Sequence, residues 1–386
     1  MLYGHSSYAD STSVTASHIM PGPTELQITY THAPRFRSTE AAALEYLEDH
    51  GYVIIANALT KTETSTAMDK LWSYLESLKT GIDRFDPDTW GDTRWPTAVH
   101  GGILPGHGVG QSEAQWYIRS IPAVKAAFAA VWGTEDVLVS FDGVSIWRPW
   151  SRKPEWKTGL GRSWLHIDQH PTGRPGKHCV QGLVNLLPTS EETGGNVVIP
   201  GSHHLHEKIP TLYTDRLSRI DKSIDHFRFP KNDPLLADMK PITCHLLPVT
   251  CHLSPVTCHL EPGDLMLWDS RTIHCSSPPT NPATKHLNDS ELVRAISLIC
   301  MMPRRKSNAT VISRRKAAVE NMTSTTNWSD VFVNADKFPD PIAVDPTKYA
   351  RPPAPVLNNL QLRLVGWTEE EITTLLASHL GTDTEN

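Results

Sequence analysis

The sequence predicts a mainly β fold, a barrel or jelly roll, with helical additions. From Val137 to about Met302 the chain consists of eight or nine short apolar or alternating runs, separated by turns rich in Gly, Pro, Asn and Asp. Such closely spaced runs are typical of all-β barrels and jelly rolls. A parallel α/β sheet needs a helix between successive strands, and few helical patterns occur here. The 30 Pro and 23 Gly among 386 residues, with 20% charged residues, favour the same loop-rich fold.

Helical patterns precede the β region. Residues 1–37 are polar and lack sustained periodicity, which predicts a flexible N-terminal arm. The sequence STEAAALEYLEDHG predicts a helix that begins near Ser38 and ends at Gly51, and YVIIANAL predicts a strand directly after it. A second helix is predicted over TETSTAMDKLWSYLESL. A third is predicted from Pro122 to Gly133, because Pro favours the first helical turn and Gly the residue after the last.

The remaining segments complete one domain with a C-terminal extension. Residues 80–113, rich in Gly, Pro, Asp and Trp, predict a long structured loop. The main domain is expected to span residues 38–303. Residues 304–386 add a basic stretch, a Pro-rich segment and a closing helix with a capping box at Thr368 and Glu371. We expect this extension to pack on the barrel.

Charge and hydropathy exclude several classes of function. The 36 basic and 42 acidic residues give a net charge of −6, which provides no basic surface for nucleic acid or an anionic membrane. No apolar run approaches the ~18–20 residues of a membrane span, and the polar N-terminus does not resemble a signal peptide. We therefore expect a cytoplasmic protein without nucleic-acid or membrane partners. Six cysteines without a CxxC pair indicate reduced thiols.

One internal repeat is conspicuous. The copies ITCHLLP, VTCHLSP and VTCHLEP begin at Ile242, Val249 and Val256. Three Cys-His pairs suggest a metal site, but Pro in every copy and a constant seven-residue period fit zinc ligation poorly. The pattern favours a tandem duplication of one strand-entry segment, with the extra copies looped out.

Two segments carry candidate metal ligands. In SWLHIDQHP the period of two places Trp164, His166 and Asp168 on one face of a strand. The segment EPGDLMLWDSRTIHCSS predicts another strand, which presents His274 and turns Cys275 to the opposite face. Two His and one carboxylate from different strands form the facial triad of non-haem Fe(II) oxygenases, which leaves open coordination positions. Structural zinc prefers a closed set of four ligands.

A third segment, ELVRAISLICMMP, places Arg294 in a strand that is apolar on both faces. An unpaired buried guanidinium is costly, so we expect an anion to contact it. Its fork geometry suits a carboxylate, either of a bound molecule or of an Asp or Glu in the protein. Arg271 alternates away from His274, and we expect it to leave the site.

Together these segments resemble the phytanoyl-CoA dioxygenase family of Fe(II)/2-oxoglutarate oxygenases. The resemblance rests on His166-x-Asp168, on GGNVVIPGSHH from Gly194, on GDLMLWDSRTIH ending at His274, and on the strand carrying Arg294. It runs from about Glu40 to about Pro303, and the segments occur in the order that the family has.

The resemblance implies a double-stranded β-helix as the catalytic domain. It implies that Fe(II) is held by His166, Asp168 and His274. It also implies that Arg294 binds the distal carboxylate of the co-substrate 2-oxoglutarate, with help from Ser276. With O₂, such enzymes hydroxylate, desaturate or cyclise a substrate and release succinate and CO₂. The substrate class we expect is a small organic molecule, a specialised metabolite or amino-acid derivative.

Other positions have alternative interpretations. Gln181 either faces the barrel interior and contacts the co-substrate or lies on the solvent face, and His203 is either structural or near the site. Residues 205–240 form either a lid or a surface excursion. Aromatic residues at Trp147, Trp164 and Tyr117 line the pocket or belong to the core.

Three alternatives concern function. An acyl-CoA substrate would place its phosphates near the basic clusters 304–306 and 314–316, which otherwise are solvated surface charge. A cupin-like isomerase or hydrolase would use the same three ligands without 2-oxoglutarate. A non-enzymatic jelly-roll binding protein would need the triad to be coincidental. The sequence gives no prediction of oligomeric state.

Overall fold

The computed structural model describes residues 33–37, 40–99, 102–156, 165–220, 225–230, 233, 236, 242–243, 250–251, 256–276, 288–331, 349–350 and 352–382. The strands are β1 (Arg35–Phe36), β2 (Tyr52–Ile55), β3 (Ile103–Leu104), β4 (Val137–Val139), β5 (Val144–Trp147), β6 (His166–Ile167), β7 (Val180–Asn185), β8 (Asn196–Val198), β9 (Phe227–Arg228), β10 (Ile242–Thr243), β11 (Thr250–Cys251), β12 (Val256–Cys258), β13 (Leu265–Asp269), β14 (His274–Ser276) and β15 (Arg294–Pro303). The α-helices are Ala41–His50, Lys61–Ser77, Glu113–Arg119, Pro122–Trp132, Ile209–Leu212, Thr214–Leu217, Ala309–Glu320, Asn359–Val365 and Glu369–Thr382.

Two sheets organise the molecule. The larger has the order β1-β2-β13-β7-β15-β5-β3, and β4 also pairs with β15. The smaller has the order β12-β8-β14-β6-β9. All these pairings are antiparallel except that of β1 with β2. The predicted strands and helical additions are both present, as two sheets packed with helices, but the α-helices contain more of the described residues than the strands do, so the fold is mixed rather than mainly β. Among the described strands no ladder joins the sheets into a closed barrel.

The larger sheet is buried on both faces, and its side chains alternate between two clusters. Val53 and Ile55 of β2, with Leu265 and Leu267 of β13, pack in the cluster that also contains the helical residue Leu47. The intervening residues of the same strands face the other way, where they meet residues of the smaller sheet: Tyr52, Ile54, Met266, Trp268, Val198 and Cys258. Strict alternation is the normal geometry of a strand. It gives the space between the two sheets a mixed lining of apolar and polar groups.

The helices before the β region agree with their sequence signals. The first helix ends where Gly51 adopts φ +77°, and the helix from Pro122 ends where Gly133 adopts φ +61°, the left-handed conformation that Gly tolerates best. The helix Lys61–Ser77 begins at a capping box between Thr60 and Glu63. The first helix begins at Ala41, and the proposed cap Ser38 lies outside the described residues. The helix Glu113–Arg119, at the end of the predicted loop, was not predicted.

The last residues of the predicted arm contact the sheet. Arg35 and Phe36 pair with Ile54 and Ile55, and the Arg35 guanidinium lies 2.7 Å from the carboxylate of Asp264. Residues 1–32 of the arm lie outside the described residues.

The C-terminal extension is attached through a buried arginine. Arg315 is fully buried and donates to the backbone carbonyls of Val139, Ser329, Leu364 and Val365. In the other basic cluster, Arg304 bonds to Asp136 and to carbonyls of the segment 363–367. Arg304 and Arg315 are therefore part of the packing of the extension, whereas Arg305 and Arg314 are exposed. The predicted capping box between Thr368 and Glu371 is present.

The three repeat copies have different positions. Val256–Cys258 pairs with Asn196–Val198 at the edge of the smaller sheet. The strands of the first two copies, β10 and β11, pair with each other instead. This is the arrangement that a looped-out duplication produces. The side chains of the first two copies lie outside the described residues, so the question of metal binding there stays a prediction.

No helix in the described part of the chain is long and apolar enough to cross a membrane.

Candidate functional site

Two neighbouring strands of the smaller sheet bring the predicted metal ligands together. His166 on β6 and His274 on β14 are direct partners in an antiparallel register, and their ring centroids are 4.4 Å apart. Asp168 follows two residues after His166, and its backbone N–H donates to the carbonyl of Ser270 at 3.0 Å. This bond ties the residue to the turn between β13 and β14.

The three side chains converge on one point. Nε2 of His166 lies 3.3 Å from Oδ1 of Asp168, and Nε2 of His274 lies 3.2 Å from Oδ2. One ligand atom from each residue lies within 4.8 Å of the other two. Two imidazoles and one carboxylate with open positions are the donor set of non-haem Fe(II) centres, so the residues fit that ion.

Neighbouring groups orient these ligands. Nδ1 of His274 lies 2.9 Å from the carbonyl of Thr272, a contact that requires the proton on Nδ1 and leaves Nε2 free to bind a metal. Gln181 donates from Nε2 to Oδ2 of Asp168 at 3.0 Å. Burial alone would raise the pKa of Asp168. The charges and hydrogen bonds of His166 and His274 outweigh that effect and hold this pKa well below its usual value.

Arg294 lies at the start of β15, directly opposite Trp147 of β5. Its guanidinium carbon lies 4.0 Å from the centre of the Trp147 ring, and Nη1 donates to Oγ of Ser276 at 3.3 Å. The side chain is buried, and burial lowers its pKa to about 9. The contact with the face of the Trp147 ring and the hydrogen bond to Ser276 hold the guanidinium at this place in the cavity.

All six sequence-predicted site residues line one cavity of about 390 Å³ between the two sheets. They are His166, Asp168, Gln181, His274, Ser276 and Arg294. Apolar groups fill the wall between them, among them Trp147, Leu183, Trp268, Ile296 and Leu298. The cavity therefore combines a metal-ligand set, a buried cation and an apolar lining.

Comparison with known proteins gives the family of the chain. The sequence model of the phytanoyl-CoA dioxygenase family matches residues 47–287, a span that contains both histidines, Asp168 and Ser276. The chain belongs to the phytanoyl-CoA dioxygenase family. Arg294 lies just beyond the matched span, although it lines the same cavity.

Two curated proteins are similar in sequence. "Ava biosynthesis cluster protein O" of Aspergillus versicolor is 28% identical over 282 residues, which cover 72% of this chain and 82% of that protein. A "putative phytanoyl-CoA dioxygenase" of Dictyostelium discoideum is 24% identical over 227 residues, which cover 48% of this chain and 63% of that protein.

Solved structures show more distant similarity. The non-haem alpha-ketoglutarate-dependent carbocyclase SnoK from nogalamycin biosynthesis is 13% identical, with a TM-score of 0.42, and the match covers 70% of this chain and 88% of that one. EctD from S. alaskensis with 2-oxoglutarate and 5-hydroxyectoine is 13% identical, with a TM-score of 0.42, and the match covers 72% and 80%.

Other cavity residues of this family member were not identified from the sequence. Some come from β9 and the residues before it, namely Asp225, His226 and Arg228; some come from the C-terminal extension, namely Thr325, Thr326, Asn327 and Trp328. Asp142, just before β5, also lines the cavity. Contacts between distant segments bring these residues to the cavity, among them the pairing of β9 with His166–Ile167 and the bonds of Thr325 to Phe141.

Several other candidates lie elsewhere. His203 bonds through Nε2 to the carbonyl of Glu48 at 2.8 Å, and burial lowers its pKa to about 4. These contacts favour the structural alternative for His203. Arg271 binds the carboxylate of Asp269 and does not line the cavity, in agreement with its predicted direction. Tyr117 packs against the main core, and Trp147 alone of the three aromatic candidates is seen at the cavity. Trp164 lies outside the described residues.

The segment predicted as a lid or surface excursion has two parts. Its first part forms short helices, in which Leu205 and Ile209 pack on the outer face of the smaller sheet beside Ile167. Its second part contains the edge strand β9, which pairs with β6. Arg228 of this strand and the preceding residues Asp225 and His226 line the cavity. Several residues between 221 and 240 lie outside the described part of the chain.

Proposed function

We propose that this protein is an Fe(II)/2-oxoglutarate-dependent oxygenase that hydroxylates, desaturates or cyclises a small organic substrate. The observation that carries the proposal is the presence of the His–Asp–His set and the Arg294–Ser276 pair in one cavity. Membership of the phytanoyl-CoA dioxygenase family supports it. The roles we propose are Fe(II) ligation by His166, Asp168 and His274, and binding of the distal carboxylate of 2-oxoglutarate by Arg294 and Ser276.

Bound iron, 2-oxoglutarate and O₂ supply the oxidising power, and the co-substrate leaves as succinate and CO₂. The protein's own contribution is position and environment. Gln181 holds one oxygen of Asp168, so the carboxylate keeps the other available to the metal. The guanidinium of Arg294, held over the Trp147 ring, can donate to a carboxylate. Trp147 and Trp268 cover the interior with apolar surface, which strengthens these charge interactions.

We further propose that the two facing sheets are the two halves of a double-stranded β-helix. Each half supplies a different function in this arrangement. The smaller sheet carries the histidines, and the larger carries Arg294 and Gln181. The alternation of β15 supports the proposal, because Arg294, Ile296 and Leu298 all line the cavity while Ala295 and Ile299 pack in the core behind it.

The substrate we propose is a specialised metabolite. A relative named for a biosynthesis cluster supports this, and so does a cavity of about 390 Å³, which suits a small molecule. The buried or carbonyl-bonded arginines of the basic clusters weigh against an acyl-CoA. A metal-dependent isomerase or hydrolase on the same triad has no need of a diacid, and the Arg294–Ser276 pair therefore favours the oxygenase.

The test is succinate formation from 2-oxoglutarate by the purified protein with Fe(II), O₂ and ascorbate. We expect slow succinate release even without substrate, and its loss in His166→Ala. The matched control is His204→Ala, since His204 lies outside the cavity beside His203. A folded, iron-loaded protein that forms no succinate would favour the isomerase or hydrolase instead.

A further inference from the structure

Three carboxylates line the cavity in the described part of the chain, and two of them have charged or ionisable partners. Asp168 lies between the two histidines. Asp225 accepts from Nε and Nη2 of Arg174 at 3.2 and 3.1 Å. Asp142 differs, since the only donor to its side chain among the described residues is the backbone N–H of Gly143, at 2.8 Å.

The position of Asp142 is fixed through its backbone. Its carbonyl accepts from Nε2 of Gln115 at 2.9 Å and from Nη2 of Arg119 at 3.0 Å. Arg119 thus binds the carbonyl, and no salt bridge joins it to the carboxylate within the described residues. The helix Glu113–Arg119 therefore holds the backbone of Asp142 in place at the cavity and leaves its carboxylate with one described donor, the N–H of Gly143.

Burial makes this carboxylate costly. It raises the pKa of Asp142 to about 6; the Gly143 hydrogen bond and the charge of Arg119 lower it, and the charge of Asp168 adds to the rise. Among the described residues no ion pair reaches this carboxylate, although the charge of the buried Arg119 acts on it, so a bound cation would offset more of its desolvation.

Asp142 and Arg294 mark opposite ends of the cavity floor. On β15, Arg294 pairs with Trp147, whereas Leu298 donates its backbone N–H to the carbonyl of Gly143. Four residues along a strand span ~13 Å, at ~3.3 Å per residue. The floor between these ends is lined by Ile296 and Leu298. Arg294 and Asp142 therefore place a cation and a carboxylate at opposite ends of this strip of β15, in a cavity that Asp168, Asp225 and Arg228 also line.

We infer that Asp142 is the specificity-determining residue for the organic substrate, and that it binds a protonated amine. This inference rests on the proposed function, in which Arg294 takes the diacid co-substrate and leaves the opposite end for the substrate. An ammonium group supplies a direct ion pair and further donors to the Asp142 carboxylate, whose one described donor is the N–H of Gly143. The apolar floor accommodates the hydrocarbon part of the same molecule.

The test is calorimetric binding of matched probes to the protein loaded with Ni(II) and 2-oxoglutarate, a form that does not turn over. The probes are 2-phenylethylamine and 2-phenylethanol, which share one skeleton and differ in charge. We expect the amine to bind about tenfold tighter, or more, than the alcohol.

Asp142→Asn is isosteric and should remove the preference for the amine while retaining affinity for the alcohol. The matched control is Asp225→Asn, which should keep the preference, because Arg174 already neutralises Asp225. Thermal unfolding checks that both variants are folded, and Asp142→Glu, which keeps the charge, should keep a preference for the amine.

Equal binding of amine and alcohol to the unsubstituted protein would overturn the inference, as would an unchanged preference in a folded Asp142→Asn variant. Neither outcome depends on succinate formation, which tests the proposed function separately.

Discussion

Nε2 of His166 and Nε2 of His274 lie on either side of Asp168, each within 3.3 Å of one of its carboxylate oxygens. The two histidines are separated by more than a hundred residues in sequence but are direct partners in the register of β6 and β14. A shift of one residue in either strand would turn one imidazole to the opposite face. The register of two short strands is therefore what forms the metal-ligand set.

Removing one imidazole should abolish tight metal binding. We expect His274→Ala to weaken Fe(II) affinity by more than about a hundredfold, beyond the 10–100-fold typical of an outer-shell contact. Anaerobic equilibrium dialysis measures the affinity, and His204→Ala serves as the control. Similar affinities in the two variants would exclude His274 as a ligand.

The amide of Gln181 should act through Asp168. Gln181→Leu removes the 3.0 Å hydrogen bond to Oδ2 but keeps the size of the side chain. We expect Fe(II) affinity to fall about 10–100-fold, with the metal still bound at higher concentration. The same dialysis measures it. Unchanged Fe(II) affinity would mean that Asp168 does not need the hydrogen bond from Gln181 to bind the metal.

The Arg294–Ser276 pair should recognise the distal carboxylate of 2-oxoglutarate. We expect Arg294→Leu to weaken its binding by about 2–5 kcal/mol and Ser276→Ala by about 1 kcal/mol. The matched probe is 2-oxobutanoate, which keeps the 2-oxo acid and lacks the distal carboxylate, so Ser276→Ala should not affect its binding. Calorimetry on the Ni(II) protein distinguishes these effects. A Leu variant that binds 2-oxoglutarate normally would contradict the assignment.

The partly buried carboxylate of Asp142 should make stability depend on pH. Its pKa is about 6 in the folded protein and 3.8 ordinarily, so its folded state favours the protonated form. The stability that this group contributes is complete below the ordinary pKa and is lost as the pH rises through about 6. We therefore compare the free energies of unfolding of the metal-free Asp142→Asn variant and the metal-free unsubstituted protein. We expect the difference to shift in favour of the variant by roughly 1–3 kcal/mol from pH 4 to pH 8. Urea unfolding at the two pH values measures this, and a pH-independent difference would contradict it.

Arg315 should stabilise the C-terminal extension. Its four carbonyl contacts are buried, so Arg315→Met leaves those carbonyls without donors and should cost about 3–5 kcal/mol of unfolding free energy. Its neighbour Arg314 is exposed, and Arg314→Ala should change stability by less than about 0.5 kcal/mol. Equal urea midpoints for the two variants would show that the basic cluster is only surface charge.

The parts of the fold that follow local patterns were predictable from sequence. The capping box at Thr368, the helix ended by Gly133 and the strand runs depend on neighbouring residues, and each occurs close to its predicted position. His166, Asp168, His274 and Arg294 were predictable because the period of two assigned each of them a face, whereas the face of Gln181 stayed open and Ser276 was named from the family resemblance. His166, Asp168 and Arg294 line one cavity for this reason.

The rest depends on contacts between distant segments. Nothing near Asn327 or Trp328 indicates that the C-terminal extension returns to the cavity, a path set by Thr325 bonding to Phe141. The short helix that holds Asp142 has only seven residues and follows a Gly-rich loop, so its periodicity is too brief to detect. The division of the strands into two sheets likewise follows from pairing, which no single strand pattern specifies.

Anaerobic titration of the Fe(II)-loaded protein with 2-oxoglutarate tests the central claim most directly, because the chelate has a weak charge-transfer band in visible light. We predict that the band appears in the unsubstituted protein and in His204→Ala, and that it is absent in His166→Ala. A protein that binds Fe(II) and 2-oxoglutarate without forming the band, or an equally strong band in folded His166→Ala, would contradict the account.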